Sequence, residues 1–234
     1  GNEQHLHFKQ LFALHRAIEP NGPAHLHHIG FGLILTDGKK MSTRSGSLIE
    51  LDELVSQATQ KVAGILEEKQ TDLPPEDIHT LAIGAIIYND LSRTRTKDIH
   101  FDWEKMLSMD SGGSIYLQYT YARIASILRK FKDRYDSLSD HPPITSVELS
   151  DHQLALPLML FPKIIEDARA ANMPNVIANY LDDLAQSFNT YYGKYSIKDS
   201  ADAPFVMRYR LLGCINEVLK KGLGLLNIRT LERM

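Results

Sequence analysis

The chain has 234 residues, 43% of them hydrophobic and 24% charged, with a formal net charge of −3. That is enough apolar sequence for one large domain or two small ones, and its even spread excludes a disordered polyelectrolyte. There is no run of about 18 or more apolar residues and no signal-peptide pattern, and the single cysteine, Cys214, cannot close an internal disulfide, which points to a reducing, cytoplasmic setting.

Gly1 opens directly into charged, amphipathic sequence, which reads as an internal point of a longer protein. Leu6, Phe8, Leu11, Phe12 and Leu14 lie near helical spacing within residues 4–15. Pro20-Asn21-Gly22-Pro23 breaks that run. Residues 29–35 are short, apolar and strand-like, Asp37-Gly38 turns the chain, and a polar loop follows over 39–46. Leu51, Leu54, Val55, Ala58, Val62, Ile65 and Leu66 share one face of a helix predicted over 51–68. After Pro74-Pro75 a second helix is expected over 76–89, then irregular chain over 90–116.

A long, basic helix follows over 116–134, and a polar, proline-containing loop over 136–147. Ser150-x-x-Gln153 has the capping-box pattern and opens a helix to about Ala171, with Pro157 placed to kink it. Pro174 suits the first turn of a helix to about Tyr192. A last helix, from about Pro204 to Lys221, is expected to stop at Gly222. The fold class is mainly α: a helical bundle preceded by a truncated α/β remnant.

Two stretches are locally basic. Arg123, Arg129, Lys130, Lys132 and Arg134 oppose Asp133 alone, and Lys220, Lys221, Arg229 and Arg233 oppose Glu232. Each suits either a solvated helix face or a nucleic-acid contact, since a chain of small negative charge can still segregate positive charge on one face. The loop Gly38-Lys39-Lys40-Met41-Ser42-Thr43-Arg44-Ser45-Gly46 combines free backbone, cations and hydroxyls. It suits either a polyphosphate, on which charge develops during transfer, or a basic surface turn. Tyr116, Tyr119 and Arg123 share one helix face. Such rings and guanidiniums either stack on unpaired bases or pack a core. His5-x-His7 and His25-x-His27-His28 lack accompanying cysteines or clustered carboxylates, so no metal site is assigned.

Lys40-Met41-Ser42-Thr43-Arg44 resembles the KMSKS signature of class I aminoacyl-tRNA synthetases, with Thr43 where the second lysine would stand. The run HHIGFGLILTDGKKMSTRSGSLIELDELV is similar to bacterial-type arginyl-tRNA synthetases in particular. His28-Ile29-Gly30-Phe31 looks like the HIGH motif of these enzymes but lies only nine residues before Met41, so it reads as the adenine-side strand, and HIGH itself is not found. Tyr116-Leu117-Gln118-Tyr119-Thr120-Tyr121-Ala122-Arg123 resembles the helix that opens the family's anticodon-binding domain, and Asp110-Ser111-Gly112-Gly113-Ser114 a loop just before it. Gly222-Leu223-Gly224-Leu225-Leu226-Asn227-Ile228 resembles the family's ending, with Asn227 where glycine is usual. The likeness runs in order along essentially the whole chain.

The resemblance implies the C-terminal half of such an enzyme: residues 1–50 as the end of a class I nucleotide-binding catalytic domain, 51–105 as a connecting, stem-contact region and 106–234 as the helical anticodon-binding domain. It implies ATP-dependent attachment of arginine to its tRNA, with magnesium accompanying ATP, in a cytoplasmic monomer. By the same resemblance Lys40, Ser42 and Arg44 are catalytic, Gln4 holds arginine, His7 and Gln10 lie near the aminoacyl-adenylate, and His28, Gly30 and Met41 serve ATP. Tyr116, Gln118, Tyr119, Arg123 and Met234 are the expected tRNA contacts. This half is expected to be catalytically inactive alone. The rival expectation is a stand-alone tRNA-binding or regulatory module derived from a synthetase.

Overall fold

The computed structural model describes residues 1–22, 25–36, 39–40, 50–110, 112–138 and 147–234. The chain divides into two compact units, Gly1–Leu48 with Arg93–Asp102, and Ile49–Ser92 with Trp103–Met234.

The first unit opens with a 3-10 turn, Asn2–Gln4, that runs into α1, His5–Ile18. A small sheet follows, with strand order β2-β1-β3. β1 is Ile34–Thr36, β2 is Lys39–Lys40 and β3 is Ile99–His100. β1 pairs antiparallel with β2 (Leu35 opposite Lys40) and parallel with β3 (Ile34 opposite Ile99). Extended ladder is thus confined to the end of the expected 29–35 strand. The reason lies in its partner: the Gly32 amide donates to the Arg95 carbonyl at 2.9 Å and the Leu33 amide to the Asp98 carboxylate at 2.8 Å, and both acceptors lie in the irregular chain just before β3. Gly32 has to be glycine, because a Cβ there would lie 2.2 Å from the Lys97 carbonyl oxygen. The expectation of irregular chain over 90–116 is corrected here, since β3 and a short helix fall within it.

The second unit is helical. Its elements are α2 (Leu51–Glu68), α3 (Pro75–Leu91), α4 (Trp103–Met106), α5 (Ser114–Ser137), α6 (Leu149–Ala171), α7 (Asn175–Lys194) and α8 (Asp202–Leu225). α2 and α3 form a hairpin whose apolar faces meet through Ala58, Val62, Leu66, Leu81, Ala82 and Ala85. α3 leans on α5, while α5, α6, α7 and α8 pack on one another. Leu117, Tyr121 and Ile124 of α5, Leu181, Leu184 and Phe188 of α7, and Phe205, Leu212, Ile215 and Leu219 of α8 fill the centre. Their three- and four-residue spacings are those that put a stripe on one side of a helix.

Two local expectations are corrected. The capping box at Ser150 does not form: α6 starts at Leu149 after Glu148, and no side chain caps it. Its first turn is held instead by Asp151, which is 1% exposed and takes the guanidinium of Arg208 at 3.1 Å and the hydroxyl of Tyr191. α8 does not stop at Gly222. That glycine is buried against α7, where a Cβ would lie 2.5 Å from a methyl of Leu181, so its smallness serves packing. The helix ends at Leu225, and Asn227 takes the left-handed conformation with φ of 60°. The Asn227 amide then donates to the Gly224 carbonyl and the Ile228 amide to the Leu223 carbonyl, which closes a Schellman turn. Among the described residues no helix is long and apolar enough to cross a membrane.

Candidate nucleic-acid interface

α5 carries two different faces. Residues 117, 121 and 124 point into the bundle, whereas 119, 123, 126 and 129 follow one outward stripe, with buried Ala122 beneath it. Tyr119, Ala122, Arg123, Ser126 and Arg129 line a cleft of about 460 Å³, closed on its other side by Arg233 and Met234. Tyr119 is 41% exposed. Arg123 is exposed, with its guanidinium carbon 4.9 Å from the centre of the Tyr192 ring.

The C-terminal segment reaches the cleft because it is fastened at several points along α5. Leu226, Ile228 and Leu231 are buried. Gln118 donates from Nε2 to the Arg229 carbonyl at 2.7 Å, Tyr121 donates to Glu232 Oε1 at 2.6 Å, and Arg129 donates to the Glu232 carbonyl at 2.8 Å. The tail is therefore laid along the helix, with Arg233 and Met234 over the outward stripe.

Burial, and then the bond to Glu232, push the Tyr121 hydroxyl from 10.0 up to about 12. A raised folded value means that the neutral, donating form stabilises the fold fully below about pH 10, and that this contribution is lost as pH rises toward 12. Tyr121→Phe is accordingly expected to fall less in melting temperature between pH 10 and pH 12 than the parent chain. Equal slopes in thermal melts would show that Tyr121 does not carry this linkage.

Tyr119, Arg123 and Met234, three of the expected tRNA contacts, meet in the cleft. Tyr116 is half-buried, with its hydroxyl accepting from Asn189 Nδ2 at 2.8 Å, and it backs the stripe from within. Gln118 is fully buried and faces the tail, one helical step away from Tyr119. Its side chain does not line the cleft. Sequence reasoning missed Ser126 and had Arg129 only as part of a basic stretch, although continuing the Tyr119–Arg123 period by one and two turns reaches both. Arg233 was flagged only as part of the C-terminal basic stretch, and Asn189 and Tyr192, which brace Arg123 from α7 without lining the cleft, are brought there only by tertiary contacts.

In the first unit, His28 stacks on Phe8 with ring centres 4.5 Å apart, and His5 lies 5.9 Å away. Desolvation by burial, with lesser help from the amino terminus, His5 and Arg95, holds the His28 imidazole below its ordinary value. The Gly30 carbonyl accepts from Arg95. Gln4, His7 and Gln10 are exposed on the opening turn and α1. The backbone of Lys40 ends β2. Its side chain, and Met41, Ser42 and Arg44 entirely, lie outside the described residues.

A larger cleft of about 570 Å³ lies between α6 and α7, lined by Ser150, Gln153, Asp183, Gln186 and Lys194 among others. One lysine there is matched by one aspartate, which gives a polyanion little reason to settle. The smaller cleft has three arginines and an exposed aromatic ring, the combination that holds unpaired nucleotides.

Residues 117–234 match the DALR anticodon binding domain, and residues 1–103 match the catalytic domain of class I tRNA synthetases (R). The chain is 38% identical over 238 residues to the arginine–tRNA ligase of an Exiguobacterium species, covering 100% of this chain and 41% of that protein. It is 37% identical to the arginine–tRNA ligase of Laribacter hongkongensis, covering 99% of this chain and 41% of that protein. It thus spans about two fifths of the length of the curated relatives it matches. Among solved structures it is similar to the Thermus thermophilus arginyl-tRNA synthetase, with a TM-score of 0.78 and 30% identity over 89% of this chain and 35% of that one. The Plasmodium falciparum arginyl-tRNA synthetase superposes with a TM-score of 0.80 and 25% identity over 99% of this chain and 40% of that one.

Proposed function

The chain belongs to the arginyl-tRNA synthetase family, and from that premise we propose that it supplies the anticodon-reading part and the phosphate-loop segment of an arginine–tRNA ligase. The observation that carries this reading is the convergence of Tyr119, Arg123, Arg129 and Met234 in one cleft. An unpaired anticodon base stacks on Tyr119 or against the thioether of Met234, while the arginines hold its phosphates and base edges.

The reaction served is the ATP-dependent joining of arginine to its tRNA. ATP and magnesium fall to the loop over 38–46 in the complete catalytic site. Lys40, Ser42 and Arg44 would hold the polyphosphate there, His28 and Gly30 would flank the adenine side with Met41, and Gln4, His7 and Gln10 would face the amino acid. Monomeric, cytoplasmic operation belongs to the same proposal, as does the division of labour between residues 1–50, 51–105 and 106–234. By itself the chain is proposed to bind tRNA without forming arginyl-adenylate, and detectable ATP–pyrophosphate exchange by the purified chain would overturn that part.

The test is binding of the full chain to a tRNA for arginine, beside the same tRNA with its central anticodon base changed, at two salt concentrations. Tyr119→Ala and Arg123→Ala are each expected to weaken binding by about 1–3 kcal/mol and to erode the preference for the unaltered tRNA. Arg169→Ala is the control, because that side chain is exposed on α6 and already paired with Glu166. It is expected to leave the preference intact. Equal binding of both tRNAs by the parent chain would overturn the assignment of anticodon reading to this cleft.

A further inference from the structure

We propose that Asn189 of α7 is a positioning residue that aims Arg123 into the cleft. The inference rests on the reading of that cleft as the anticodon site and deepens it, since Asn189 itself does not line the cleft.

The argument is one of hydrogen-bond inventory. A primary amide has two N–H donors and one carbonyl acceptor. Asn189 Nδ2 donates to the Tyr116 hydroxyl at 2.8 Å and to Thr120 Oγ1 at 3.1 Å. Thr120 is fully buried and Tyr116 half-buried, so both acceptors are fixed by packing on α5. With both hydrogens committed, only the carbonyl remains, and it faces Arg123, whose Nη1 donates to it at 3.3 Å. The flipped amide would set N–H against N–H at the guanidinium, so one orientation is selected. Tyr192, about one helical turn further along α7, presents its ring 4.9 Å from the guanidinium carbon. Arg123 is thus braced by a neutral carbonyl and an aromatic ring.

The chemistry of that brace matters. No carboxylate pairs with Arg123 among the described residues. A carboxylate would hold the side chain more firmly but would cancel its charge and occupy two of its donors. A carbonyl takes a single N–H and leaves the full positive charge and the remaining donors for a base edge or phosphate. Asn189 therefore limits the orientations that Arg123 must lose on binding while keeping it electrostatically free, which favours discrimination between bases over bulk attraction.

Two measurements on the full chain test this. The first uses no RNA. Nitrogen-15 relaxation of the Arg123 side-chain Nε is expected to show greater mobility in Asn189→Ala than in the parent chain. The second compares the tRNA for arginine with its central-base variant. Asn189→Ala is expected to lower the preference about tenfold, and a cycle with Arg123→Ala to be non-additive. The near-isosteric Asn189→Asp keeps the side chain's shape and pairs Arg123 ionically. It is expected to weaken binding to both tRNAs, which a merely structural asparagine would not do. Unchanged Arg123 mobility in Asn189→Ala overturns the positioning role. So does a preference lost in Arg123→Ala but kept in Asn189→Ala, which leaves the cleft's function standing. A preference unaltered by Arg123→Ala overturns the underlying reading of the cleft, and the inference with it.

Discussion

Asp151→Ala is expected to lower the stability of the chain by about 3–5 kcal/mol, because it strands a buried positive charge. Arg208 is only 6% exposed, and its Nε lies 3.1 Å from Asp151 Oδ1. Its Nη1 donates to Ser200 Oγ at 2.9 Å, and its Nη2 lies 3.1 Å from the more exposed Glu148 carboxylate. The Tyr191 hydroxyl donates to the same aspartate, and its burial, followed by that bond, raises its value well above that of a free tyrosine. One carboxylate at the start of α6 therefore gathers groups from α7 and α8. Removing it leaves a guanidinium and a phenol without their acceptor, and the Glu148 contact near the surface replaces little of it. Urea denaturation of Asp151→Ala beside the parent chain measures the loss. Adding Arg208→Met is expected to recover a large part of it, since an apolar pair of similar size avoids the stranded charge. A loss below about 1 kcal/mol in Asp151→Ala would place the network among surface-like ion pairs and refute this account.

The second large effect is expected from Phe188→Ala, at about 3–5 kcal/mol for a large aromatic side chain removed from a packed core. Phe188 is fully buried in α7 and lies 5.7 Å, ring centre to ring centre, from Tyr192. Its neighbour in sequence is Asn189, so the helix turn that it anchors also carries both groups braced against Arg123. Phe188→Leu keeps most of the volume and is expected to cost under about 2 kcal/mol. The comparison separates packing from function: Phe188→Ala should lose both melting temperature and anticodon preference, and Phe188→Leu should keep most of each. Retained preference in a strongly destabilised Phe188→Ala would mean that the turn holding Asn189 is set by other contacts.

Glu232 illustrates how a few side chains of α5 decide where the tail goes. Tyr121 and Arg129 grip it from points about two turns apart, and Gln118 grips the Arg229 carbonyl before it. None of these three bonds is visible as a pattern, because each joins residues more than a hundred positions apart in the chain.

Sequence alone determined the helices. Apolar residues recurring every three to four positions mark a buried stripe whatever lies across from it, so α2, α3, α5 and α7 fall close to their expected ranges. The same periodicity placed Tyr119 and Arg123 on one face, which the structure turned outward, and resemblance brought Met234 to them. Only the tertiary structure decided the rest. Gln118 turned inward because the tail carbonyl it satisfies arrives from the far end of the chain. Gly222 proved to be a close contact with Leu181 and not a stop, and Asn227 took the left-handed turn. β1 found its parallel partner after an excursion through α2 and α3. The α6 start is set by a buried Arg208 in place of a local cap. In each case the deciding partner is distant in sequence, and a local pattern records only which face of an element is apolar, not which donor or acceptor will meet it.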